Sequence, residues 1–290
     1  MSKLTRRYVL KSIAVLPLAT IGLTVFGIEP YGPKNAEITM VVTDPLALPL
    51  ACSCVQGFAQ RKYEKLADFL QSKLGKSVRV VWSESLEKAK NEHGLGSKTI
   101  LIGKDSVIRF DSKKLKMEVT AIAQLTDVAG SVKQKGMFVV RRDDPAASLL
   151  DLEGYRVLWG PEKCTEKSAS PKSKLKELEI ETVGGEVCET CTVAARKLID
   201  ETNATKVAGI ISSYAERLLI GCGTIEKGTL KIVGESDEVP FISVFLSGQF
   251  TIDEKKKVLE TLVAVRSSED LLVSMESKDG FVPYSESSQK

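Results

Sequence analysis

The residues best suited to chemistry in this chain are its cysteines, which are Cys52, Cys54, Cys164, Cys188, Cys191 and Cys222. Cys52 and Cys54 form a C-x-C pair, and Cys188 and Cys191 form a C-x-x-C pair. Disulfides are one interpretation, because an exported chain meets an oxidising compartment. The two pairs also suit a soft metal such as Cu(I), zinc or an iron–sulfur cluster. A reactive thiol at a helix start is the third interpretation.

Histidine chemistry is nearly absent, because His93 is the only histidine of the chain. A site built on several imidazoles is therefore excluded, and so is a catalytic triad that uses histidine as its base. No other nucleophile lies beside a suitable base in a recognisable motif. We therefore expect a protein that is not an enzyme and that needs no cofactor.

The first part of the chain alternates between strand-like and helix-like segments. Apolar, β-branched runs predict strands over 37–42, 77–82 and 99–103. Apolar residues at helical spacing predict helices over 58–74, which Gly75 would end, and over 85–92. This β-α-β-α-β order is typical of a parallel α/β sheet.

The later segments predict a second unit of the same kind. The further predicted strands are 119–124, 136–141, 156–160, 208–212, 230–233 and 241–245, and the further predicted helices are 193–200, 213–220 and 252–265. The lysine- and acid-rich stretch 161–182 is interpreted as a solvated loop or helix face. We predict two lobes, each a mostly parallel sheet flanked by helices. Lobe one would hold residues 34–127 plus 237–290, and lobe two would hold residues 128–236.

The N-terminal residues 1–33 have the features of a targeting segment. Arg6 and Arg7 precede an apolar residue and Lys11, and residues 12–28 are uncharged. A basic region before such a run is typical of an export signal, and the arginine pair resembles a twin-arginine signal. Residues 12–28 could instead attach the chain to the membrane as a short uncleaved anchor. Either interpretation predicts a periplasmic or other extracytoplasmic protein.

The charge of the chain argues against a nucleic-acid partner. The chain has 41 basic and 38 acidic residues. Four of the basic residues and one acidic residue lie within residues 1–33, so the remainder is balanced. Binding of a phosphate backbone needs clustered positive charge, which this composition does not supply.

Several segments together resemble a known family. They are ITMVV (38–42), YEKLADFL (63–70), GMFVVR (136–141), DLEGYRVLWG (151–160) and GFVP (280–283). Their order is similar to that of the phosphate/phosphite/phosphonate-binding periplasmic proteins of ABC importers. The resemblance implies the type II two-lobed solute-binding fold, a small oxyanion ligand and an ABC transporter permease as partner. A sensor subunit of the same fold is an alternative.

The chain also departs from the family pattern. The family usually has a Ser/Thr-rich anion-binding loop after the fourth of these segments. Here that loop spans 160–168, where Thr165 and Ser168 are the hydroxyl residues. A histidine often present in the second loop of lobe two has no counterpart near 185–188. The C-x-C pair is likewise unexpected in a phosphonate-binding protein.

Ligands of open α/β sheets bind beyond the carboxyl ends of the strands, so the cleft between the lobes is the expected site. Helix N-termini and hydroxyl groups supply donors for an oxyanion there. The candidate ligand-binding residues are Ser106, Ser131, Thr165, Ser168, Thr190, Thr192, Ser212, Ser213 and Tyr214. Simple helix capping is the alternative role of each hydroxyl. Lys104 and Arg61 could neutralise an anion, but residues of these types are more often found at the surface.

Overall fold

The computed structural model describes residues 28–51, 60–200 and 206–285. The strands are β1 (Ile38–Thr43), β2 (Val78–Trp82), β3 (Lys98–Lys104), β4 (Thr120–Leu125), β5 (Lys133–Gln134), β6 (Gly136–Arg141), β7 (Arg156–Trp159), β8 (Gly185–Val187), β9 (Val207–Ser212), β10 (Leu230–Glu235), β11 (Val239–Pro240), β12 (Ile242–Gly248) and β13 (Phe281–Pro283). The α-helices are α1 (Tyr63–Leu74), α2 (Leu86–His93), α3 (Asp105–Lys114), α4 (Ala169–Glu177), α5 (Cys191–Asp200), α6 (Ala215–Gly221), α7 (Ile252–Ala264) and α8 (Glu269–Ser274). Short 3₁₀ turns occur at Leu149–Leu152, Thr165–Lys167 and Val265–Ser267.

The first sheet orders its strands β13-β4-β12-β3-β1-β2. Strand β1 is parallel to β2 and β3, whereas β12 is antiparallel to β3 and β4. Every residue of β1 is buried, as expected for a central strand with both faces covered. Strands β1 and β3 therefore end at the same edge of this sheet.

Helix α1 forms on the predicted apolar stripe, whose buried residues are Tyr63, Leu66, Ala67, Leu70 and Leu74. It ends at Gly75, which has the left-handed backbone conformation that glycine adopts without steric cost. Its start differs from the prediction, because the helix begins at Tyr63 rather than Phe58. Arg61 instead forms a β-bridge with Ala47, and its guanidinium pairs with the buried Asp44 at 2.8 Å.

The second sheet orders its strands β10-β6-β9-β7-β8. Strand β7 is parallel to β8 and β9, and β6 is antiparallel to β9 and β10. Both sheets are therefore mixed, with a parallel set of three strands in each. The α/β class and the two-lobed architecture are confirmed.

The chain passes from the first sheet to the second through β5 and returns through β11, and these two short strands pair antiparallel. Gln134 lies opposite Val239, and the amide of Phe241 donates to the carbonyl of Val132 at 2.9 Å. A pair of adjacent crossing strands is a suitable hinge between two lobes. The limits of lobe two at residues 128 and 236 stay a proposal.

The largest apolar cluster is continuous between the two sheets. It includes Met40 and Leu46 from the first lobe, Phe241 at the crossing, and Ile211 and Leu219 from the second lobe. A separate cluster in each lobe covers the other face of its sheet. The lobes are therefore packed against each other in this structure.

Other parts of the fold also differ from the sequence-based expectation. Helix α3 was not predicted, although it directly follows β3. The stretch 161–182 is not simply solvated, because Glu166, Lys167 and Ser168 are buried and α4 lies within the stretch.

In the described ranges no helix has the length and apolar character needed to cross a membrane. The predicted signal and anchor segment up to residue 27 lies outside the described residues.

Candidate functional site

A cavity of about 460 Å³ lies between the two sheets and takes its lining from both. The lining residues from the first lobe are Thr43, Pro45, Leu46, Leu50, Glu84, Lys104 and Val107. Those from the second lobe are Pro161, Lys163, Cys164, Lys167, Glu189, Thr190, Cys191, Thr192, Tyr214, Ala215, Leu218 and Leu219.

The strand order of the fold explains the position of this cavity. Thr43 ends β1 and Lys104 ends β3, while Pro161, Glu189 and Tyr214 follow β7, β8 and β9. The carboxyl ends of parallel strands thus open onto the cavity from both sheets. This is the expected location of a ligand site in an α/β fold.

The N-terminus of α5 forms part of the cavity wall. Thr190 caps this helix, because its hydroxyl accepts a hydrogen bond from the amide of Val193 at 3.1 Å. Lys167 places its ammonium 3.5 Å from the carbonyl of Glu189 in the same loop. The positive end of a helix dipole and a lysine therefore lie on one wall, an arrangement that favours an anion.

A buried ion pair joins the lobes beside the cavity. The ammonium of Lys104, at the end of β3, pairs with the carboxylate of Glu166, in the loop after β7. Both residues are buried, at 5 % and 0 % exposure. Ser212 also donates to Oε1 of Glu166 at 2.9 Å, whereas Oε2 has no hydrogen-bond partner among the described residues.

The charges of this pair shift the pKa values of both groups. Burial alone would raise the pKa of Glu166, but the charges of Lys104 and Lys167 and the hydrogen bonds from Lys104 and Ser212 lower it overall. Burial opposes the charge of Lys104, yet the adjacent Glu166 carboxylate raises the Lys104 pKa well above its usual value. Both groups are therefore charged at neutral pH.

A second contact joins the lobes through Ser106, at the start of α3. Its hydroxyl donates to the carbonyl of Lys163 at 2.8 Å and accepts from the amide of Thr165 at 3.3 Å. The loop after β7 is thus held against the first lobe by both an ion pair and hydrogen bonds. The structure represents a closed arrangement of the lobes.

Tyr214 connects the cavity to the crossing between the lobes. Its ring stacks on that of Phe241, with centroids 5.1 Å apart and an interplanar angle of 21°. The guanidinium of Arg61 lies 5.6 Å from the centroid of Phe241. Burial is the main cause that raises the pKa of the Tyr214 phenol, so this hydroxyl is neutral and can donate a hydrogen bond.

Only some of the predicted ligand-binding residues line the cavity. Thr190, Thr192 and Tyr214 line the cavity. Ser212 is buried next to it, on Glu166. The roles of these residues in ligand binding stay predictions.

The other predicted residues do not line the cavity. Ser106 and Thr165 form the interlobe hydrogen bonds, and Ser168 is buried immediately before α4. Ser131 is exposed in a turn with Asp127, and Ser213 is exposed and accepts from the amide of Lys135 at 3.2 Å.

Sequence reasoning missed Glu166 and Lys167, and it treated Lys104 and Arg61 as potential surface residues. All four are buried. Two glycines of the sequence lie against residues 166 and 167. A Cβ on Gly136 would lie 2.0 Å from the carbonyl oxygen of Glu166, and a Cβ on Gly160 would lie 2.3 Å from Cβ of Lys167. Glycine is needed at both positions because the Glu166 backbone and the Lys167 side chain pass too close for a Cβ.

The described cysteines Cys164, Cys188, Cys191 and Cys222 are free thiols. The predicted disulfides are therefore not seen among them, and no group of three metal-ligating side chains occurs in the described ranges. Cys52 and Cys54 lie outside those ranges. Cys164 and Cys191 nevertheless both line the cavity, and Sγ of Cys191 lies 3.4 Å from the amide nitrogen of Ser212. Burial raises the pKa of Cys164 and of Cys188.

Comparison with known proteins identifies the family of the chain. Residues 58–288 match the profile of the phosphonate-binding periplasmic substrate-binding proteins of ABC transporters. The chain belongs to this family. A phosphonate-binding family member is a substrate-binding component of a transporter and not an enzyme, as the sequence predicted. The family is periplasmic, and membership implies a small ligand and a transporter permease as partners.

Solved structures show the same fold at low sequence identity. XAC2383 from Xanthomonas citri, bound to ATP, is 12 % identical with a TM-score of 0.65, over 87 % of this chain and 93 % of that one. PhnD1 from Prochlorococcus marinus, in complex with methylphosphonate, is 13 % identical with a TM-score of 0.61, over 88 % and 95 %. The phosphonate transporter binding protein PA3383 from Pseudomonas aeruginosa is 12 % identical with a TM-score of 0.61, over 88 % and 83 %. No curated protein matches the sequence of this phosphonate-binding family member.

Proposed function

We propose that this chain captures a small oxyanion of the phosphate or phosphonate class in the cavity between its lobes and presents it to an ABC transporter permease. The chain would act outside the cytoplasm, after export through its arginine-containing N-terminal segment. The observation that carries the proposal is the cavity wall formed by the N-terminus of α5 together with Lys163 and Lys167.

The chemistry of this wall suits an oxyanion for three reasons. The helix terminus supplies backbone N–H groups and the positive end of a dipole. The lysines supply charge, and Thr190 and Thr192 supply hydroxyl groups. These groups come from two neighbouring loops of the second lobe, so a bound anion would first be held by that lobe.

Closure of the two lobes would follow when the bound ligand also contacts the first lobe. A ligand shifts a two-state equilibrium only by its difference in affinity for the two states. In the closed arrangement the cavity is bounded by both lobes, so a ligand that touches both favours closure. The crossing strands β5 and β11 would serve as the hinge.

Thermal unfolding of the purified chain tests the proposal with phosphate, phosphite, methylphosphonate and sulfate. A ligand at a hundred times its Kd stabilises the folded state by about 2.7 kcal/mol, which raises Tm by several degrees. Ligand carried through purification must first be removed by partial unfolding and dialysis. No rise in Tm with any of these anions would contradict the proposal.

A matched pair of variants locates the anion site. Lys167→Met removes a lysine from the cavity wall, whereas Lys113→Met removes an exposed lysine of α3 that does not line the cavity. A charge-assisted hydrogen bond contributes about 1.5–3 kcal/mol, so Lys167→Met should weaken anion binding roughly ten- to a hundredfold. Thr190→Val provides a second test at the cap of α5. Equal Kd values for Lys167→Met and Lys113→Met would place the anion elsewhere.

A thiol-based function is the second candidate, because Cys164 and Cys191 line the same cavity. Either a soft metal or a thiol-reactive ligand would then bind in place of the oxyanion. Metal analysis of untagged protein, and Tm with Cu(I), separate this function from the first. Stabilisation by Cu(I) that is lost in Cys191→Ser would support it.

A further inference from the structure

We propose that the ligand of this cavity is an organic anion with an apolar body of several carbon atoms, rather than a free oxyanion or a one-carbon phosphonate. The inference rests on the proposed function and names its ligand class. Two observations support it. The two lobes line the cavity with chemically different side chains, and the polar side chains of the first lobe that could bind an anion already pair with other protein groups.

The size of the cavity exceeds what a small oxyanion needs. Its volume of about 460 Å³ lies within the range of pockets that bury most of a drug-sized organic molecule. A tetrahedral anion with one methyl group would touch one end only. The remaining space has room for further ligand atoms that would contact the wall.

The walls differ in chemistry. The loops 161–167 and 189–192 of the second lobe contribute Lys163, Lys167 and the start of α5. Leu46 and Leu50 of the first lobe and Leu218 of α6 also line the cavity, and all three belong to one apolar cluster. An acid group therefore suits the first surface and an apolar body suits the second.

The described lining residues of the first lobe have few donors left for an oxyanion. Lys104 is its one cation among the described lining residues, and this ammonium already pairs with Glu166. The Ser106 hydroxyl is engaged with Lys163 and Thr165.

The polar groups that remain on the first lobe are a hydroxyl and a carboxylate. The Thr43 hydroxyl oxygen is buried against Gly103 and so is not exposed to the cavity, and Glu84 is an acid that would repel an anion. Among the described lining residues, the first lobe therefore offers a small oxyanion no exposed side-chain donor that is still available.

The ligand must contact both lobes to favour closure, and Leu46, Leu50 and Val107 provide most of the contact that the first lobe offers. Apolar contact with these side chains removes hydrocarbon from water, which stabilises binding in proportion to the area buried. The aliphatic wall would then determine specificity, while the anion-binding wall would hold the acid group common to all ligands.

Calorimetric titration with a series of alkylphosphonates from methyl to hexyl tests the inference, with phenylphosphonate as an aromatic member. We expect Kd to fall roughly fourfold for each methylene group buried, until the wall is covered. Leu218→Ala should weaken hexylphosphonate binding about tenfold and weaken methylphosphonate binding much less. Leu150→Ala, at a leucine that is 66 % exposed and does not line the cavity, is the matched control.

Two further ligands distinguish this inference from the proposed function. 3-Aminopropylphosphonate should bind more weakly than propylphosphonate, because its ammonium would lie against aliphatic side chains. Hexanol should bind far more weakly than hexylphosphonate, because it lacks the acid group.

Each contrary result has a definite meaning. Equal affinity for methyl- and hexylphosphonate, or tighter binding of the aminopropyl compound, overturns the apolar-body inference and leaves the oxyanion function intact. Hexanol binding as tightly as hexylphosphonate overturns the oxyanion function and leaves the apolar site intact. If neither phosphate nor any organic probe binds, both fail.

Discussion

The ammonium of Lys104 and the carboxylate of Glu166 connect the two lobes through a buried ion pair. Lys104 belongs to the end of β3, and Glu166 belongs to the loop after β7. The contact stabilises the closed arrangement through side chains of the protein itself, next to the cavity where a ligand would bind. A change in the free energy of this ion pair should therefore change both the stability of the fold and the affinity for a ligand.

The first prediction concerns the loss of one partner of this pair. Lys104→Met leaves an unpaired carboxylate in a buried position, which costs about 3–5 kcal/mol of unfolding free energy. The double variant Lys104→Met with Glu166→Leu removes both charges and should recover most of that loss. Urea unfolding measures both, with Lys113→Met as a control for the change of residue type. A single variant as stable as the parent would show that the pair opens in solution.

The second prediction concerns pH. The pKa of Glu166 is lowered in the folded state, so the pair contributes its stability above the ordinary carboxyl value of 4.5 and loses it as pH falls through the lower folded value. We expect the Tm difference between the parent and Glu166→Gln to be greatest at neutral pH and to shrink below pH 4.5. A difference that stays constant down to pH 3 would mean that folding does not lower the pKa of Glu166.

Much of the fold could be predicted because the relevant signals are local. Strands such as β1 and β9 are short apolar runs, and α1 shows a helical stripe that ends at Gly75. Helix α3 was harder to predict because polar and charged residues dominate it, and its buried residues include Asp105 and Asp111. Asp111 accepts a hydrogen bond from the amide of Leu86, a tertiary contact that leaves no periodic pattern.

The site was less predictable for a related reason. Hydroxyl residues near strand ends were good candidates, and Thr190, Thr192 and Tyr214 do line the cavity. Glu166 and Lys167 looked like solvated residues because they lie in a charged stretch. Glu166 is buried against Lys104 and Lys167 is buried beside Gly160 and Glu189, so only the tertiary fold reveals their positions.

The third prediction concerns thiol reactivity. Cys191 is half-buried in the cavity wall, whereas Cys164 and Cys188 are buried and burial raises their pKa values. Among the described cysteines, Cys191 and Cys222 should therefore be alkylated before Cys164 and Cys188 under native conditions. A ligand in the cavity should protect Cys191 but not Cys222, which does not line it. Peptide mass analysis after brief alkylation measures the order, and fast labelling of Cys164 would contradict it.

The fourth prediction concerns export. The paired Arg6 and Arg7 resemble a twin-arginine signal, whose machinery recognises the pair itself. Changing both to lysine keeps the charge and should leave the protein in the cytoplasm. Cell fractionation compares this variant with Lys3→Arg, a charge-conserving change nearby. Normal export of the double variant would favour another signal or a plain anchor.

The last prediction concerns the ring stack between Tyr214 and Phe241. Tyr214 lines the cavity on the second lobe, and Phe241 lies where the chain returns to the first lobe. A stacked aromatic pair contributes about 0.5–1.5 kcal/mol beyond the area it buries.

The variants Tyr214→Leu, Phe241→Leu and their combination form a double-mutant cycle that isolates this coupling free energy. Tyr214→Phe keeps the ring and should retain the coupling. The unfolding free energies should therefore be non-additive by that amount, and additive values would show that the rings separate in solution. Since the stack joins the cavity wall to the hinge, the loss of coupling should also weaken the ligand's preference for the closed state.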